Sequence, residues 1–235
     1  MYRLKSSHSH TAASIFFLVY KKNMEPSIFD TFENVLTSDE AAEIIAFAKE
    51  KGMKRSKVTN IFRPISAHRT SSNNFMQQDE FTPAVKRLAA FVAKKTGYSI
   101  ANQQWQIVHY EPGQQYKVHH DGIGRMYTMF VYLNTVEGEG GETEFPNLDR
   151  KFKPVLGEAV LWKNYKVEKW MGLEWMVSDE RARHAGLPPK QGEKWGINVW
   201  VTDDKYWKWD TVEQVTYYGL LLLLIVCLVL AWITY

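Results

Sequence analysis

At about residue 104, the spacing of apolar residues changes from a helical period to an extended one. Before this point they recur three and four positions apart, whereas after it they form short β-branched and aromatic runs separated by glycine and proline. Runs of this kind predict strands of an antiparallel sheet. The predicted strands are residues 105–110, 127–133, 159–162 and 195–201.

Two helices are predicted ahead of these strands. The first starts in a capping box at residues 37–40 and ends at Gly52; the second starts at Thr82, followed by Pro83, and ends at Gly97. The chain is 45% hydrophobic, which is enough for a packed core. Helices followed by strands indicate an α+β domain, in which the helices buttress a sheet sandwich or an open barrel.

The two ends of the chain differ from this domain. Residues 1–25 are polar around one apolar patch and are predicted to be a leader or a flexible arm, with the domain over residues 26–205. Residues 216–235 carry no charge and approach the roughly 20 residues that cross a bilayer, so we expect a C-terminal transmembrane helix there. The alternative, a buried helix of the domain, would normally show a polar face.

This tail determines the expected localisation. A single-pass C-terminal anchor would place the domain on the cytoplasmic side of a membrane, together with Lys205 and Lys208. A cleaved signal, suggested by Arg3 and Lys5 before a short apolar patch, would instead place it in the lumen of the endoplasmic reticulum.

Charge and cysteine content exclude some classes of partner and site. The 29 basic residues are interspersed with 26 acidic ones, so no nucleic-acid partner is expected. The single cysteine, Cys227, excludes an intramolecular disulfide and a cysteine metal site. Neither feature predicts an oligomeric state.

Three residues form a candidate metal site. His119 and Asp121 lie two positions apart, so in an extended segment both side chains point to one face, and the distant His184 could complete the set. Two histidines and one carboxylate suit iron(II) and leave coordination positions open for a cosubstrate and dioxygen. A chance His-x-Asp pair is the alternative. His120 also competes, but beside Asp121 it should face the opposite side.

Lys194 is a candidate partner for an anionic cosubstrate. If the proline- and glycine-rich residues between the last two strands form a turn centred near Pro189, Lys194 lies roughly opposite His184. An α-keto acid that chelates iron through one end needs a cation for its far carboxylate, and an ammonium group can provide it. The alternative is an ordinary solvated surface lysine.

Residues 110–121, Tyr-Glu-Pro-Gly-Gln-Gln-Tyr-Lys-Val-His-His-Asp, resemble the Tyr-x-x-Gly-x-x-Tyr-x-x-His-x-Asp signature of prolyl 4-hydroxylase catalytic domains. Further segments resemble motifs of the same family in the family's order: residues 69–71, 125–134, 140–146, 153–161 and 184–195. The resemblance covers about residues 26–201 and is far more specific than any single motif.

This resemblance implies an iron(II) and 2-oxoglutarate dependent oxygenase. The implied fold is a double-stranded β-helix (jelly-roll) core, buttressed by the N-terminal helices. By position, His119, Asp121 and His184 would ligate the iron, and Lys194 would pair with the distal carboxylate of 2-oxoglutarate. The implied cofactors are Fe(2+), 2-oxoglutarate, O2 and ascorbate.

Four further residues take roles from the same resemblance. Tyr132 and Thr128 lie on the strand that resembles the cosubstrate-binding strand of the family and would line that pocket. Tyr116 and Trp200 match positions near the substrate proline. The alternative for all four is ordinary core packing, since aromatic residues on strands are usually core residues.

The implied reaction is hydroxylation of peptidyl proline, as in procollagen-proline 4-dioxygenases, with release of succinate and CO2. Residues 187–189, Leu-Pro-Pro, and the long segment 164–183 depart from the family pattern and leave the substrate open. Alternatives are a hydroxylase of another peptidyl residue or of a small molecule, a nucleic-acid demethylase of the same superfamily, and a membrane-tethered binding module without activity.

Overall fold

Both predicted helices are present in the computed structural model. Helix α1 (Ser38–Lys51) is capped by Thr37, whose hydroxyl accepts a hydrogen bond from the Glu40 amide while the Glu40 carboxylate accepts one from the Thr37 amide. Helix α2 (Pro83–Thr96) ends at Gly97, which has a left-handed backbone conformation that glycine adopts without strain.

The structure describes residues 27–57, 67–122, 124–170, 173–203, 219–220, 222–227 and 229–232.

Thirteen strands lie in the described part of the chain. They are β1 (Phe29–Phe32), β2 (Lys54–Arg55), β3 (Ser72–Met76), β4 (Gln103–Tyr110), β5 (Tyr116–His119), β6 (Arg125–Tyr132), β7 (Thr143–Phe145), β8 (Arg150–Phe152), β9 (Ala159–Lys163), β10 (Tyr165–Trp170), β11 (Leu173–Ser178), β12 (His184–Gly186) and β13 (Lys194–Thr202). Short 3-10 turns occupy Gln78–Glu80, Ile100–Asn102, Pro146–Leu148 and Glu180–Ala182.

The strands form two larger antiparallel sheets and one hairpin. The seven-stranded sheet has the order β1-β9-β6-β13-β4-β3-β2, and the four-stranded sheet has the order β5-β12-β7-β8. Strands β10 and β11 pair only with each other. This mostly β core agrees with the predicted jelly-roll, and the four predicted strands correspond to β4, β6, β9 and β13.

The seven-stranded sheet separates two cores because successive side chains of a strand point to opposite faces. On β13, Ile197 and Val199 pack with α1 and α2 in the larger core. On neighbouring strands, Phe130 and Trp162 point the other way and pack with Phe145 of the four-stranded sheet. The helices therefore cover one face of the seven-stranded sheet, as predicted. The opposite face packs against the four-stranded sheet and borders the space between the two sheets.

Several strands were not predicted. Strands β1, β2 and β3 lie before or between the helices, and β10 and β11 occupy the long segment 164–183. Strands β2 and β3 consist mainly of polar residues, Lys-Arg and Ser-Asn-Asn-Phe-Met, so no alternation of apolar residues marks them. Pairing stabilises them instead, because β3 pairs with β4 and β2 pairs with β3.

The prediction of a C-terminal transmembrane helix at residues 216–235 is wrong. Among the described residues, no helix has both the length and the apolar character needed to cross a bilayer. The predicted single-pass anchor, and the cytoplasmic placement derived from it, are not supported. The predicted leader, residues 1–25, lies outside the described residues.

Candidate active site

The three predicted metal ligands lie together at one end of the four-stranded sheet. Strands β5 and β12 are antiparallel neighbours, and their register places His184 directly opposite His119. Asp121 follows the end of β5. The possible donor atoms of the three side chains all lie within 4.8 Å of one another, which is close enough for one metal ion. His120, the competing histidine, is directed elsewhere, with its ring nitrogens near the carbonyl oxygens of Asp121 and Asn164.

Hydrogen bonds orient both histidines toward the centre of this cluster. The Nδ1 atom of His119 lies 2.8 Å from the Lys117 carbonyl oxygen, and that of His184 lies 2.9 Å from the Ala182 carbonyl oxygen. A carbonyl can only accept, so each Nδ1 carries the proton and each Nε2 keeps a free lone pair. Both imidazoles are therefore held in the tautomer that can ligate a metal.

The charge states also suit metal binding. Burial, together with the neighbouring His184, lowers the pKa of His119 well below its usual value. Burial likewise lowers the pKa of His184, although Asp121 opposes this shift. Burial alone would raise the pKa of Asp121, but His184 and Arg125 outweigh it and the pKa is lowered. At neutral pH the cluster therefore offers two neutral imidazoles and one carboxylate.

A chain of buried hydrogen bonds fixes the Asp121 carboxylate. Its Oδ2 accepts a hydrogen bond from the hydroxyl of Thr128, and Thr128 in turn accepts one from the Asn164 side-chain amide at 2.9 Å. The Asn164 side-chain oxygen accepts from the indole N–H of Trp162, also at 2.9 Å. All four side chains are buried. The predicted cosubstrate residue Thr128 is thus placed against a ligand and does not line the cleft.

Lys194 is buried within the site, with only 1% of the residue exposed. Its Nζ lies 3.5 Å from the hydroxyl of Thr143 and over the rings of Tyr110, Phe130 and Tyr132 at 5.1 to 5.6 Å. No carboxylate of the described residues forms an ion pair with it, and burial lowers its pKa to about 7. Burial therefore disfavours the charged form of Lys194, although Glu142 opposes this shift, and a bound anion would favour that form.

The predicted cosubstrate residue Tyr132 lies behind Thr143. Its hydroxyl donates to Thr143 Oγ1 at 2.9 Å and has the Phe152 carbonyl oxygen at 3.2 Å. Tyr110 and Thr143 line the cleft in its place. Thr143 belongs to a segment that resembles a family motif, but its role as a partner of Lys194 was not predicted because the two residues are far apart in sequence.

The two predicted substrate residues lie in the cleft that opens beside the cluster, which has a volume of about 1080 Å³. Tyr116 stacks on the ring of His119, with centroids 3.5 Å apart, and Arg69 lies over Tyr116 at 4.5 Å. Arg125 lies over the ring of Trp200 at 3.5 Å. Sequence reasoning gave no role to either arginine, although both lie in segments that resemble family motifs.

Comparisons with known proteins agree with this geometry. The model of the 2OG-Fe(II) oxygenase superfamily matches residues 105–202. Probable prolyl 4-hydroxylase 8 of Arabidopsis thaliana is 30% identical over 212 residues, which cover 77% of this chain and 70% of the plant protein. A putative prolyl 4-hydroxylase of Acanthamoeba polyphaga mimivirus is 28% identical over 189 residues, covering 74% and 73% of the two chains.

One solved structure is similar in both sequence and fold. It is the 2OG complex of the viral collagen prolyl hydroxylase from Paramecium Bursaria Chlorella virus-1, with 25% identity and a TM-score of 0.59, covering 74% of this chain and 96% of that one.

The fold and the site together define a 2OG-Fe(II) oxygenase, the class whose chemistry uses Fe(2+), 2-oxoglutarate and O2. Within this class, the chain belongs to the prolyl 4-hydroxylase family. The residues present fit the cofactors of the class. Two oriented imidazoles and an ionised carboxylate match an iron(II) site, and the buried Lys194 provides a cation for a dicarboxylic acid.

Proposed function

We propose that the protein hydroxylates a proline residue within a peptide or protein, using iron(II), O2 and 2-oxoglutarate and releasing succinate and CO2. In this proposal His119, Asp121 and His184 hold the iron, and Lys194 binds the distal carboxylate of 2-oxoglutarate. Iron and 2-oxoglutarate together supply the oxidising chemistry when they are bound. Ascorbate is proposed as a reductant that keeps the iron in its ferrous state.

The polypeptide contributes by holding the ligands and by enclosing the cosubstrate. The Thr128–Asn164 hydrogen bonds hold the Asp121 carboxylate in one orientation, and the backbone carbonyls of Lys117 and Ala182 hold the two imidazoles. The ring of Phe130 walls the Lys194 pocket, and it fits only because residue 196 is glycine: a Cβ there would lie 2.2 Å from the ring. This wall excludes water around Lys194 and strengthens its interaction with an anion.

The substrate side of the cleft is suited to a peptide. Trp200 lines this side of the cleft, with the Arg125 guanidinium 3.5 Å from the centre of its ring. Tyr116 lies beside the metal cluster, and because its ring is stacked on His119 and covered by Arg69, its edge is the part that can contact a proline ring. The cleft volume of about 1080 Å³ accommodates a peptide segment as well as the cosubstrate, which favours a peptide over a free small molecule.

The observation that carries this proposal is the buried Lys194 beside the His119, Asp121 and His184 cluster. The test uses the full chain with iron(II), 2-oxoglutarate and ascorbate, and follows succinate release and a one-oxygen mass gain on proline-containing peptides. We expect equal amounts of hydroxylated proline and succinate, and neither product from the Asp121→Ala variant. Release of succinate without oxidation of the peptide would support the assignment as an oxygenase and reject proline as the target. The absence of both products, in protein that is folded and iron-loaded, would favour a binding module without activity.

A further inference from the structure

We infer that a cationic lip, formed by Lys54, Arg55 and Lys57, selects peptides that carry acidic residues about four positions from the target residue. The inference rests on the proposed function, because it concerns the substrate of the same cleft. It names the substrate class as acidic peptides, which neither the family nor the metal site specifies.

Basic side chains outnumber acidic ones in the lining of the cleft. Six lysine and arginine side chains line it in the described part of the chain, against the single carboxylate of Asp121. The whole chain has 29 basic and 26 acidic residues, so this imbalance is local. Three of the six cations lie deep in the site, where they contact Asp121 or aromatic rings. The other three form the lip and are solvent-exposed.

The lip is held in place by a buried residue. Ser56, between Arg55 and Lys57, is fully buried. Its hydroxyl accepts hydrogen bonds from Ser71 at 3.0 Å and from Asn73 at 2.6 Å, and its amide donates to the Ser71 carbonyl oxygen. The guanidinium of Arg55 also donates to the carbonyl oxygen of Thr70. The backbone that carries these cations is therefore fixed relative to the sheet, which lowers the entropy cost of binding.

The register of the sheet gives the distance from the lip to β13, the strand whose Lys194 and Trp200 line the same cleft as the metal cluster. Lys54 on β2 pairs with Asn73 on β3, which pairs with Val108 on β4, which pairs with Gly196 on β13. Three inter-strand steps correspond to roughly 14 Å, or about four residues of an extended peptide. A peptide that lies across these strands with its target residue beside β13 therefore places a side chain at the lip about four residues away.

An acidic peptide is the partner that these observations favour. Exposed lysine and arginine side chains pair with carboxylates, and each pair is weak and screened by salt. Two such pairs together are expected to change kcat/KM by about tenfold at low ionic strength and less at high ionic strength.

The experiment uses the full chain and short peptides with one central proline and Glu, Gln or Lys about four residues to each side. The test variant is Lys54→Glu/Lys57→Glu. The matched control is Lys86→Glu/Lys94→Glu, which makes the same charge change on the exposed surface of α2. Melting temperatures verify that both variants are folded. Peptide binding by fluorescence anisotropy is measured beside turnover, so that recognition can be detected without hydroxylation.

For the wild type and the control we expect kcat/KM to be about tenfold higher for the Glu peptide than for the Gln peptide. The test variant should lose this preference and favour the Lys peptide. Equal turnover of the Glu and Gln peptides by the wild type would overturn the inference and leave the proposed function intact. If the wild type binds the Glu peptide more tightly but does not hydroxylate it, and the test variant loses this tighter binding, the result would support recognition of acidic peptides by the lip and reject proline hydroxylation. Tighter binding of oligothymidylate than of the Glu peptide, lost in the same variant, would overturn the acidic-peptide assignment.

Discussion

The two faces of the seven-stranded sheet are built from the same strands but are used differently. On β13, Ile197 and Val199 are fully buried against the helices, among other apolar residues. On the opposite face of the same strand, Lys194 is almost as deeply buried, yet it is a charged group. The helix face is stable in the free protein, whereas the cleft face contains a buried amine whose charged form is disfavoured by burial and would be favoured by a bound anion.

This difference shows how one strand can serve packing and chemistry at the same time. Alternation places consecutive residues in different environments, so a substitution at position 197 and one at position 194 should have separate effects although the residues are close in sequence. The helix face should determine the free energy of unfolding, and the cleft face should determine ligand binding.

The largest expected effect lies on the cleft side. Replacing His184 with alanine removes one of the three proposed ligands, so we expect turnover to be abolished and manganese(II) or zinc(II) binding, measured by calorimetry, to be lost. The helix face is untouched, so the variant should still unfold cooperatively. Full coupled activity in this variant would show that the ligand assignment is wrong.

The next effect lies on the helix side. Ile197→Ala leaves a cavity in the larger core and should lower the free energy of unfolding by about 2 to 5 kcal/mol, measured by urea denaturation. The KM for 2-oxoglutarate of the remaining folded protein should not change, because the side chain points away from Lys194. A large rise in that KM would show that the two faces are coupled. Ile197→Val, which removes less volume, is the matched control.

A smaller effect is expected from the hydrogen bonds behind Asp121. Asn164→Ala removes the amide that donates to Thr128, and loss of such an outer partner typically lowers metal affinity by about 10- to 100-fold. Metal binding to the protein, measured by titration with manganese(II), reports this change without turnover. Unchanged affinity in folded protein would mean that Thr128 alone is sufficient to hold the carboxylate.

The smallest effect is a pH dependence of 2-oxoglutarate binding. The pKa of Lys194 in the free protein is about 7, and a bound carboxylate raises it. Below about pH 7 the amine already carries its proton, whereas above that value binding must take up a proton, so the Kd should rise by up to about tenfold per pH unit. Calorimetry with the manganese(II)-loaded protein measures this slope. Lys194→Met should bind more weakly and without the slope, and an equal slope in that variant would assign the proton to another group.

Local patterns in the sequence were sufficient to predict the helices and four of the strands. The capping box at Thr37 and the glycine stop at Gly97 both lie where they were expected. The three predicted metal ligands also lie together in the structure. The predicted hairpin that would place Lys194 opposite His184 is wrong, because β12 pairs with β5 and β7 whereas β13 pairs with β4 and β6. The two residues line one cleft from different sheets.

The remaining features depend on contacts that are distant in sequence. Strands β2 and β3 are polar, so no apolar period marks them, and they form because β4 offers a partner to β3 and β3 offers one to β2. The apolar run at the C-terminus predicted a membrane helix from hydropathy alone, but a span also needs one continuous helix of sufficient length, and the described residues contain none.

The sequence by itself determined the two helices, the strands β4, β6, β9 and β13, the identity of the candidate ligands and the family of the protein, because these follow from local spacing and from motifs in a fixed order. Only the tertiary structure decided that Lys194 is buried without a carboxylate partner, that Asn164 and Thr128 fix the Asp121 carboxylate, and that the lip residues share a cleft with the metal cluster. Each of these features depends on side chains from different strands. The pKa of Lys194 and the hydrogen bonds that hold Asp121 are set only once the sheets have packed and buried these groups.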